Sequence, residues 1–351
     1  MAPTTLTLAG RPVGSGHPCF VIAEAGVNHN GDVDRAHRLV DAAAGAGADA
    51  VKFQTFRADR LASAAAPKAA YQAARTGAAQ SQLDMLRALE LAPEAHAELQ
   101  AHARDRGLVF LSTPFDEESA DLLEALDVPA FKVPSGELTN LPFLAHLARK
   151  GKPLIVSTGM AGLGEVEAAV REIEANGAPG LVLLHCVSSY PARPEDSNLR
   201  VMATLAAAFG APTGYSDHTL GIAVPLAAAA LGACVIEKHF TLDRSLPGPD
   251  HQASAEPAEL TALVEGVRTI ESALGDGRKR AVAAEIDTAA VARRSLVAAA
   301  DIPAGAPLTP DLIALRRPGT GLPPALHPFL LGRRATTAIP AGTLLRLEML
   351  T

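Results

Sequence analysis

The sequence of 351 residues contains no tryptophan and only three cysteines, and aromatic residues make up 4% of it. Hydrophobic residues nevertheless account for 48% of the chain, so a large core is expected, packed mainly with aliphatic side chains. The cysteines, Cys19, Cys186 and Cys234, all fall in predicted strands. An odd number of cysteines at such positions predicts buried, reduced thiols and a cytoplasmic location.

The chain also lacks a long apolar run and an excess of positive charge. No stretch of about 18 apolar residues occurs, and residues 1–16 lack the charged-then-apolar order of a signal peptide. The formal net charge of −7 argues against nucleic acid or an anionic membrane as the main partner. An anionic small substrate remains compatible with this charge, because a local group of basic residues sets the field in a pocket.

Eight short apolar segments recur along the chain, roughly 20 to 35 residues apart, with helical patterns between them. They cover residues 19–26, 48–55, 108–115, 130–137, 153–160, 181–191, 212–219 and 233–241. Apolar runs of this kind are typical of buried parallel strands joined by crossover helices. Eight such units predict an α/β fold of the TIM-barrel type, (β/α)8, which takes about 250 residues.

The remaining residues predict three further parts. Residues 4–18 alternate and then contain Gly14 and Gly16, which predicts a hairpin turning there and covering the bottom of the barrel. The barrel domain is expected over residues 1–280 and a linker over 281–294. Residues 295–351 contain the sequence IPAG twice, at 302–305 and 339–342, and predict a small β-rich domain.

Helical spacing predicts most of the crossover connections. The expected helices lie near residues 32–47, 81–91, 93–107, 117–126, 141–149, 165–176, 199–209, 222–231 and 257–274. Residues 57–80 are rich in alanine but contain Pro67 and Gly77, and we expect a loop over the rim of the barrel there.

Two histidines follow neighbouring strands of the predicted barrel. His218 and His239 stand near the ends of the seventh and eighth strands, where both imidazoles can reach one divalent ion. Glu24, at the end of the first strand, is either a third ligand or a residue that orients substrate. Glu237 shares a strand face with His239, and either supports that histidine or pairs with a lysine.

A second set consists of lysines and hydroxyl residues near the ends of six strands. Its members are Lys52, Thr113, Lys132, Ser135, Ser157 and Ser216. A buried phosphate or carboxylate needs positive charge and several hydrogen-bond donors, so this set predicts an anion pocket. Two chemistries remain open from the residues alone: a Schiff-base aldolase using Lys52 or Lys132, and a metal-dependent condensation in which the lysines hold an anionic partner.

Several motifs, in this order, closely resemble the sialic acid synthase family. They are IAEAGVNHNGD, AVKFQTF, SQLDMLRALEL, FLSTPFD, FKVPSGELTN, PLIVSTGM, GYSDHTLG, IEKHFTLD and PGPDHQAS. The tail, with LRRPGTGLPP and LLGRRATTAIPAG, resembles the antifreeze-like (SAF) domain of those enzymes. The resemblance extends from about Cys19 to Met349.

The resemblance implies condensation of phosphoenolpyruvate with an N-acylated mannosamine-type sugar, with release of phosphate. It implies a divalent ion, usually Mn²⁺, with Mg²⁺ or Co²⁺ as alternatives, held by His218 and His239. The implied phosphoenolpyruvate site comprises Lys52, Thr113, Lys132, Ser135, Ser157, Ser188 and Ser216. The implied sugar site comprises Glu24, Gln54, Tyr190, Asp250 and Arg317. Glu24, Lys52 and Lys132 are the implied catalytic residues, with the lysines acting as fixed charges.

The resemblance also implies a domain-swapped homodimer, in which Arg317 reaches the N-acyl group across the subunit boundary. Two positions depart from relatives: Ser188 stands where some members carry an asparagine, and Arg75 stands where an asparagine is common. The segment LPGPDHQAS favours a sialic or legionaminic acid synthase, and the two products are not separated by the sequence. The alternatives are a pseudaminate or other nonulosonate synthase, and an inactive barrel that only binds sugar or phosphate.

Overall fold

Eight parallel strands form a nearly closed barrel in the computed structural model, which describes residues 5–77 and 81–351. The strands are Phe20–Gly26 (β3), Ala50–Thr55 (β4), Val109–Pro114 (β5), Phe131–Val133 (β6), Leu154–Ser157 (β7), Leu181–Cys186 (β8), Thr213–Asp217 (β9) and Val235–His239 (β10). Their hydrogen-bonded order is β5-β4-β3-β10-β9-β8-β7-β6, and β5 lies beside β6 without a ladder. The predicted (β/α)8 fold is confirmed, with every strand where the sequence placed it.

An antiparallel hairpin precedes the barrel, formed by Thr5–Leu8 (β1) and Arg11–Gly14 (β2). The chain turns at Gly14–Gly16 as predicted, where the His17 amide donates to the Gly14 carbonyl at 3.2 Å, but that turn follows the hairpin. The hairpin itself is closed at Ala9 and Gly10, both with positive φ. Two consecutive left-handed residues match the tight turn of a two-residue hairpin. Leu8 and Val13 pack with the apolar side chains inside the barrel, and the hairpin covers that end as predicted.

The crossover connections are helical. The helices of this unit are Val33–Gly45 (α1), Ala58–Leu61 (α2), Ala70–Thr76 (α3), Gln82–Arg87 (α4), Pro93–Asp105 (α5), Glu117–Ala125 (α6), Leu141–Arg149 (α7), Leu163–Ala175 (α8), Val201–Phe209 (α9), Ala223–Ala230 (α10) and Pro257–Leu274 (α11). The expectation of a loop over 57–80 is wrong for α2 and α3, and residues 78–80 lie outside the described residues. Alanine favours helix strongly enough that Pro67 and Gly77 bound α3 rather than prevent it.

Successive strand residues alternate between two layers. The inner layer fills the lower part of the barrel with side chains such as Ile22, Leu111 and Val182. The outer layer, between strands and helices, holds side chains such as Val51, Phe131 and Ile236. Because the side-chain period of a strand is two, the polar residues that follow the inner layer at the carboxyl ends also point into the barrel.

The chain divides into two units between Gly275 and Asp276. The second contains two helices, Ile286–Ala292 (α12) and His327–Leu330 (α13), and one antiparallel pair, Ser295–Ala298 (β11) with Ile313–Arg316 (β12). The two IPAG copies pair with each other, since Ile302 and Ile339 exchange both backbone hydrogen bonds, at 2.8 and 2.9 Å. Both isoleucines are buried in this unit's own apolar core.

Two further expectations from the sequence concern the cysteines and membrane-spanning segments. The three cysteines are free and buried, as predicted. No helix among the described residues combines the length and apolarity that a membrane crossing needs.

His29 is a buried neutral side chain in the turn after β3. It is fully buried, and its Nδ1 accepts a hydrogen bond from the Gly31 amide at 3.0 Å. Burial, with the nearby His96 and Arg35, lowers the pKa of His29 to about 4. In the unfolded chain the same ring titrates near its ordinary value of about 6.5. The unfolded state therefore binds a proton between these two values that the folded state does not.

We predict that His29 makes the protein sensitive to acid. The neutral His29 ring contributes fully to the free energy of unfolding above about pH 6.5, and this contribution is lost as the pH falls toward 4. The free energy of unfolding is therefore lower by roughly 2–3 kcal/mol at pH 4.5. His29→Asn keeps an acceptor for the Gly31 amide and cannot titrate. Urea unfolding at pH 7.5 and 4.5 should show a smaller loss in the variant by that amount; equal losses would contradict the prediction.

Candidate active site

A cavity of about 430 Å³ opens at the carboxyl ends of the barrel strands. Thirteen of the fourteen candidate site residues line it: Glu24, Lys52, Gln54, Thr113, Lys132, Ser135, Ser157, Ser188, Tyr190, Ser216, His218, His239 and Asp250. They come from all eight strands and the loops that follow. The parallel arrangement brings them together, because every strand ends on the same side of the barrel.

Lys52 lies at the floor of the cavity between two carboxylates. Its Nζ is 2.5 Å from Oε2 of Glu24 and 3.6 Å from Oε2 of Glu237, and donates to Thr113 Oγ1 at 2.8 Å. Burial opposes its charge, but Glu237 and Glu24 outweigh burial and raise the pKa of Lys52. A lysine held protonated is a fixed cation and a poor amine nucleophile.

Lys132 occupies the opposite side of Glu237. Its Nζ is 3.7 Å from Oε1 of Glu237 and donates to Ser157 Oγ at 2.7 Å. Ser216 Oγ donates to the same Glu237 oxygen at 2.8 Å. Of the two roles that the sequence left open for Glu237, the structure shows the pairing, and with both lysines.

The two carboxylates differ in protonation. Burial raises the pKa of Glu24 to about 7, against the attraction of Lys52. Burial acts on Glu237 in the same direction, but Lys132 and Lys52 outweigh it and lower its pKa to about 2. Glu237 is therefore a permanent anion, whereas Glu24 exchanges a proton near neutral pH, as a general acid or base must.

Three small residues form a shelf beside Lys132. The Gly159 amide donates to Ser135 Oγ at 2.9 Å, and the Ser188 hydroxyl lies close to the same face of the glycine. A Cβ on Gly159 would lie 2.3 Å from Ser188 Oγ and 2.7 Å from Ser135 Oγ. Glycine at this position thus leaves the two hydroxyls free to converge on one point of the cavity.

His218, directly after β9, and His239, the last residue of β10, face each other with ring centroids 5.5 Å apart. His218 Nδ1 donates to the Val187 carbonyl at 2.7 Å, so Nε2 is the ring nitrogen left for a ligand. Burial, with His218 and Lys52, lowers the pKa of His239 well below its ordinary value. Burial acts on His218 in the same direction, but Cys186 and the Val187 carbonyl outweigh it and raise the pKa of His218. His239 is thus a neutral imidazole, the form that binds a metal, and His218 takes that form by losing a proton.

The pair fits a divalent ion. Nδ1 of His239 is buried and has no hydrogen-bond partner, so a ring nitrogen is left for a ligand. Across residues 5–77 and 81–351, no third His, Cys, Asp or Glu joins the two histidines in a metal-binding group. This disfavours Glu24 as a third protein ligand and leaves the remaining positions of such an ion to water or substrate.

Tyr190 and Asp250 form the upper side of the cavity. The Tyr190 ring lies 4.1 Å from that of His218 and stacks on Tyr71 at 5.2 Å. Burial raises the pKa of Asp250 to about 6. Arg75 donates to the carbonyls of Pro249 and Tyr190, at 2.6 and 3.1 Å, and thereby ties α3 to both loops.

An apolar wall forms another side of the cavity, and sequence reasoning missed it. Its members are Val27, Phe56, Leu61, Met85, Leu86, Leu89 and Phe115. They come from separate loops and from α2 and α4, so no spacing along the chain marks them as neighbours. Tyr71 and Gln72, also lining residues, were missed because their helix was predicted as a loop.

The fourteenth candidate, Arg317, belongs to the second unit. It is exposed, and its Nε donates to the Ala292 carbonyl at 3.0 Å. Its side chain is thus available for an external contact.

We predict that Gly159→Ala damages the hydroxyl shelf of the cavity, and with it the binding of an anionic substrate, without unfolding the protein. The new Cβ must displace both serine hydroxyls, and losing two hydrogen bonds to a charged group costs about 3 kcal/mol or more. The KM for the anionic substrate should therefore rise about a hundredfold. Steady-state kinetics test this, with Gly164→Ala, where a Cβ meets nothing, as the matched control. A KM within twofold of the unmodified enzyme would contradict the role of the shelf.

Comparison with known proteins finds related synthases that align with nearly the whole chain. The NeuB family model matches residues 39–279 and the SAF domain model residues 293–351. The chain is 49% identical to an N,N'-diacetyllegionaminic acid synthase of Legionella pneumophila, covering 96% of each chain. It is 40% identical to an N-acetylneuraminate-9-phosphate synthase of Mus musculus, covering 88% of this chain and 85% of the other. A crystal structure of the N-acetylneuraminic acid synthetase of Leptospira borgpetersenii matches with a TM-score of 0.71 and 36% identity, covering 81% and 94%.

Proposed function

The chain belongs to the NeuB family, and on that premise we propose that it condenses phosphoenolpyruvate with an N-acylated amino sugar, releasing phosphate. The observation that carries this is the convergence in one cavity of two lysines, a set of hydroxyls and two histidines. The lysines and hydroxyls suit an anion, and the histidines suit a divalent ion beside it.

We assign the phosphate of phosphoenolpyruvate to Lys132 and the hydroxyls around it. Ser157 contacts Lys132 directly, and Ser135 and Ser188 lie on the Gly159 shelf. Ser216 and Thr113 complete the set, bonded to Glu237 and Lys52 respectively. Lys52 then meets the carboxylate of phosphoenolpyruvate, since it is the other buried cation of the cavity floor. Each anionic group thus gains a charge-assisted hydrogen bond.

His218 and His239 would hold a divalent ion, which would supply Lewis-acid polarisation of the sugar's carbonyl group. Glu24 lies between Lys52 and Gln54, with Gln54 Nε2 3.4 Å from its Oε1. From there it holds the aldehyde end of the sugar. It also exchanges a proton at the oxygen that becomes the new hydroxyl, a role worth about 10²–10⁴ in rate.

The bond changes follow from this arrangement. Carbon 3 of phosphoenolpyruvate forms a bond to the aldehyde carbon, and positive charge develops at carbon 2. Water adds at carbon 2, and the C–O bond to phosphate breaks, which leaves the 2-keto acid and inorganic phosphate. Glu237, a permanent carboxylate between the lysines, offsets the developing positive charge. Lys52, whose pKa is raised, remains a fixed cation. Burial lowers the pKa of Lys132, but we assign it as a cation as well, because Glu237 and the bound phosphate both lie beside it, and the proposed reaction needs no Schiff base.

We further propose that the acceptor is a 6-deoxy, diacetamido sugar of the kind that leads to legionaminic acid. The apolar wall suits the methyl group of carbon 6 and the methyl of a second acetamido group, and offers no hydrogen bond to a 6-hydroxyl or 6-phosphate. The higher identity to the Legionella synthase than to the mouse enzyme points the same way.

The proposal predicts phosphate release that depends on both substrates and on metal. With Mn²⁺ and phosphoenolpyruvate, 2,4-diacetamido-2,4,6-trideoxymannose should exceed N-acetylmannosamine in kcat/KM by about 10- to 100-fold, the range that an apolar pocket achieves. N-acetylmannosamine 6-phosphate should react more slowly still. Chelation of the metal, or His239→Ala, should abolish turnover while the fold survives.

Each contrary result has a distinct meaning. Preference for N-acetylmannosamine would reassign the acceptor and leave the reaction intact. Full activity in chelator-treated protein would remove the metal from the mechanism. If no phosphate is released with any of the three sugars while phosphoenolpyruvate binding is measurable, the result would favour an inactive binding barrel or a synthase that makes a different nonulosonate.

We also propose that Arg317 completes the cavity of a second subunit in a domain-swapped homodimer. The SAF match covers Arg317, and that side chain is exposed. Residues 293–351 carry seven arginines and three acidic residues in a chain of net charge −7, so the barrel of a second copy is the acidic surface that attracts them.

Mixing two inactive variants tests this arrangement. A swapped dimer of Arg317→Ala with His239→Ala contains one intact site, formed by the barrel of the first variant and the tail of the second. Random reassociation at equal amounts should restore about a quarter of the unmodified activity. Each variant alone should stay nearly inactive, and no recovery after confirmed subunit exchange would show that Arg317 acts within its own subunit or not at all.

A further inference from the structure

Asp217 and Lys238 form a buried ion pair behind the two histidines. Each directly precedes one of them in the sequence, Asp217 before His218 and Lys238 before His239. Lys238 Nζ lies 2.5 Å from Asp217 Oδ2, and the two residues are register partners on β9 and β10. Because side chains alternate along a strand, both point away from the cavity, into the layer between strands and helices.

Charged side chains are rare in the layer between the barrel strands and the helices. On the eight barrel strands, all within the described part of the chain, the other outward positions are filled mainly by apolar side chains such as Val51, Phe131 and Ile236. Asp217 and Lys238 are the charged exceptions, only 1% and 2% exposed. They occur on the two strands that carry the histidines.

The pair holds the backbone on both sides of His218. The Thr219 amide and hydroxyl both donate to Asp217 Oδ1, at 3.0 and 2.9 Å. Lys238 Nζ donates to the Thr219 carbonyl at 2.8 Å. His218 itself lies beyond the last residue of β9 and has no ladder partner on β10. Lys238 thus connects the segment of His218 to the strand that ends in His239.

Stability does not account for this arrangement. Two charges lose their hydration on burial, and well-packed apolar residues of similar volume are often as stabilising or more so. What an ion pair adds is a fixed geometry, since its hydrogen bonds accept only a narrow range of distances. Here that geometry joins the two residues that are adjacent to the histidines.

We propose that Asp217 and Lys238 are positioning residues that set the separation of His218 and His239 for a bound divalent ion. The inference rests on the proposed function, in which those histidines hold the ion. The pair contacts neither substrate nor metal. It acts through the backbone of residues 217–219 and 238–239, as outer-shell partners of metal ligands do through the side chain.

The test replaces the pair by apolar residues of similar size, Asp217→Leu with Lys238→Met, in the full-length protein. Mn²⁺ affinity is measured without substrates, from the EPR signal of the free ion, and phosphoenolpyruvate affinity without metal by calorimetry. The Kd for Mn²⁺ should rise about 10- to 100-fold, the cost typical of losing outer-shell support. The Kd for phosphoenolpyruvate should stay within about twofold, because the anion contacts are on the other face of the strands.

A matched control alters the ion pair at the opposite end of the barrel. Arg268 and Asp49 lie 2.6 Å apart, and Asp49 also accepts the Val21 amide, which asparagine preserves. Arg268→Met with Asp49→Asn should leave Mn²⁺ affinity unchanged. An equal loss in the control, or an unchanged Mn²⁺ Kd in the Asp217/Lys238 variant, would overturn the positioning role.

A milder substitution keeps the test decisive if the double variant does not fold. Thr219→Val retains shape and removes only the hydroxyl bond to Asp217, and should raise the Mn²⁺ Kd about two- to fivefold. An unchanged Kd in that variant would overturn the inference. Failure of the unmodified protein to bind Mn²⁺ would instead refute the metal site of the proposed function, and the two failures are therefore distinguishable.

Discussion

The cavity depends on four charges buried together at the bottom of the barrel mouth. Glu24, Lys52, Glu237 and Lys132 alternate around the floor, each no more than 4% exposed. Any one of these ions alone would be costly to bury, and the alternation makes the burial possible because each charge has an opposite neighbour within 3.7 Å. The same alternation sets their protonation, since the lysines keep Glu237 ionised and the carboxylates keep Lys52 charged. The groups proposed to perform the reaction are thus also the groups that neutralise one another.

That balance has a consequence for substrate binding. With two cations and two carboxylates the empty floor is close to neutral, whereas phosphoenolpyruvate brings between about two and three negative charges. The lysines cannot compensate this alone, because Glu237 remains ionised between them. A divalent ion held by His218 and His239 would add positive charge to the same cavity and so strengthen the binding of this anion. The hydroxyls and the Gly159 shelf supply hydrogen bonds without adding charge.

Sequence reasoning succeeded where the backbone repeats and failed where separate segments meet. The eight strand ends were predictable because the (β/α)8 arrangement puts every carboxyl end on one side, so Lys52, Ser157 and His239 had to converge. The turn at Gly14–Gly16 was marked by its glycines, whereas the turn that closes the hairpin was missed because Ala9 adopts positive φ without being glycine. The apolar wall could not be predicted, because its members lie on separate loops and short helices whose packing no local pattern records.

The residues proposed for the reaction and the residues proposed for sugar specificity therefore lie on different parts of the fold. The groups proposed to perform the chemistry stand on strands, whose positions the barrel fixes to within a side-chain rotamer. The groups proposed to select the sugar stand on the apolar wall, on α3 and on the loop of Asp250, which Arg75 ties together through backbone carbonyls. Loop contacts of this kind change without disturbing the strands beneath them. The strand ends are therefore expected to perform one condensation for any acceptor that the wall admits, and the wall residues decide which acceptor that is.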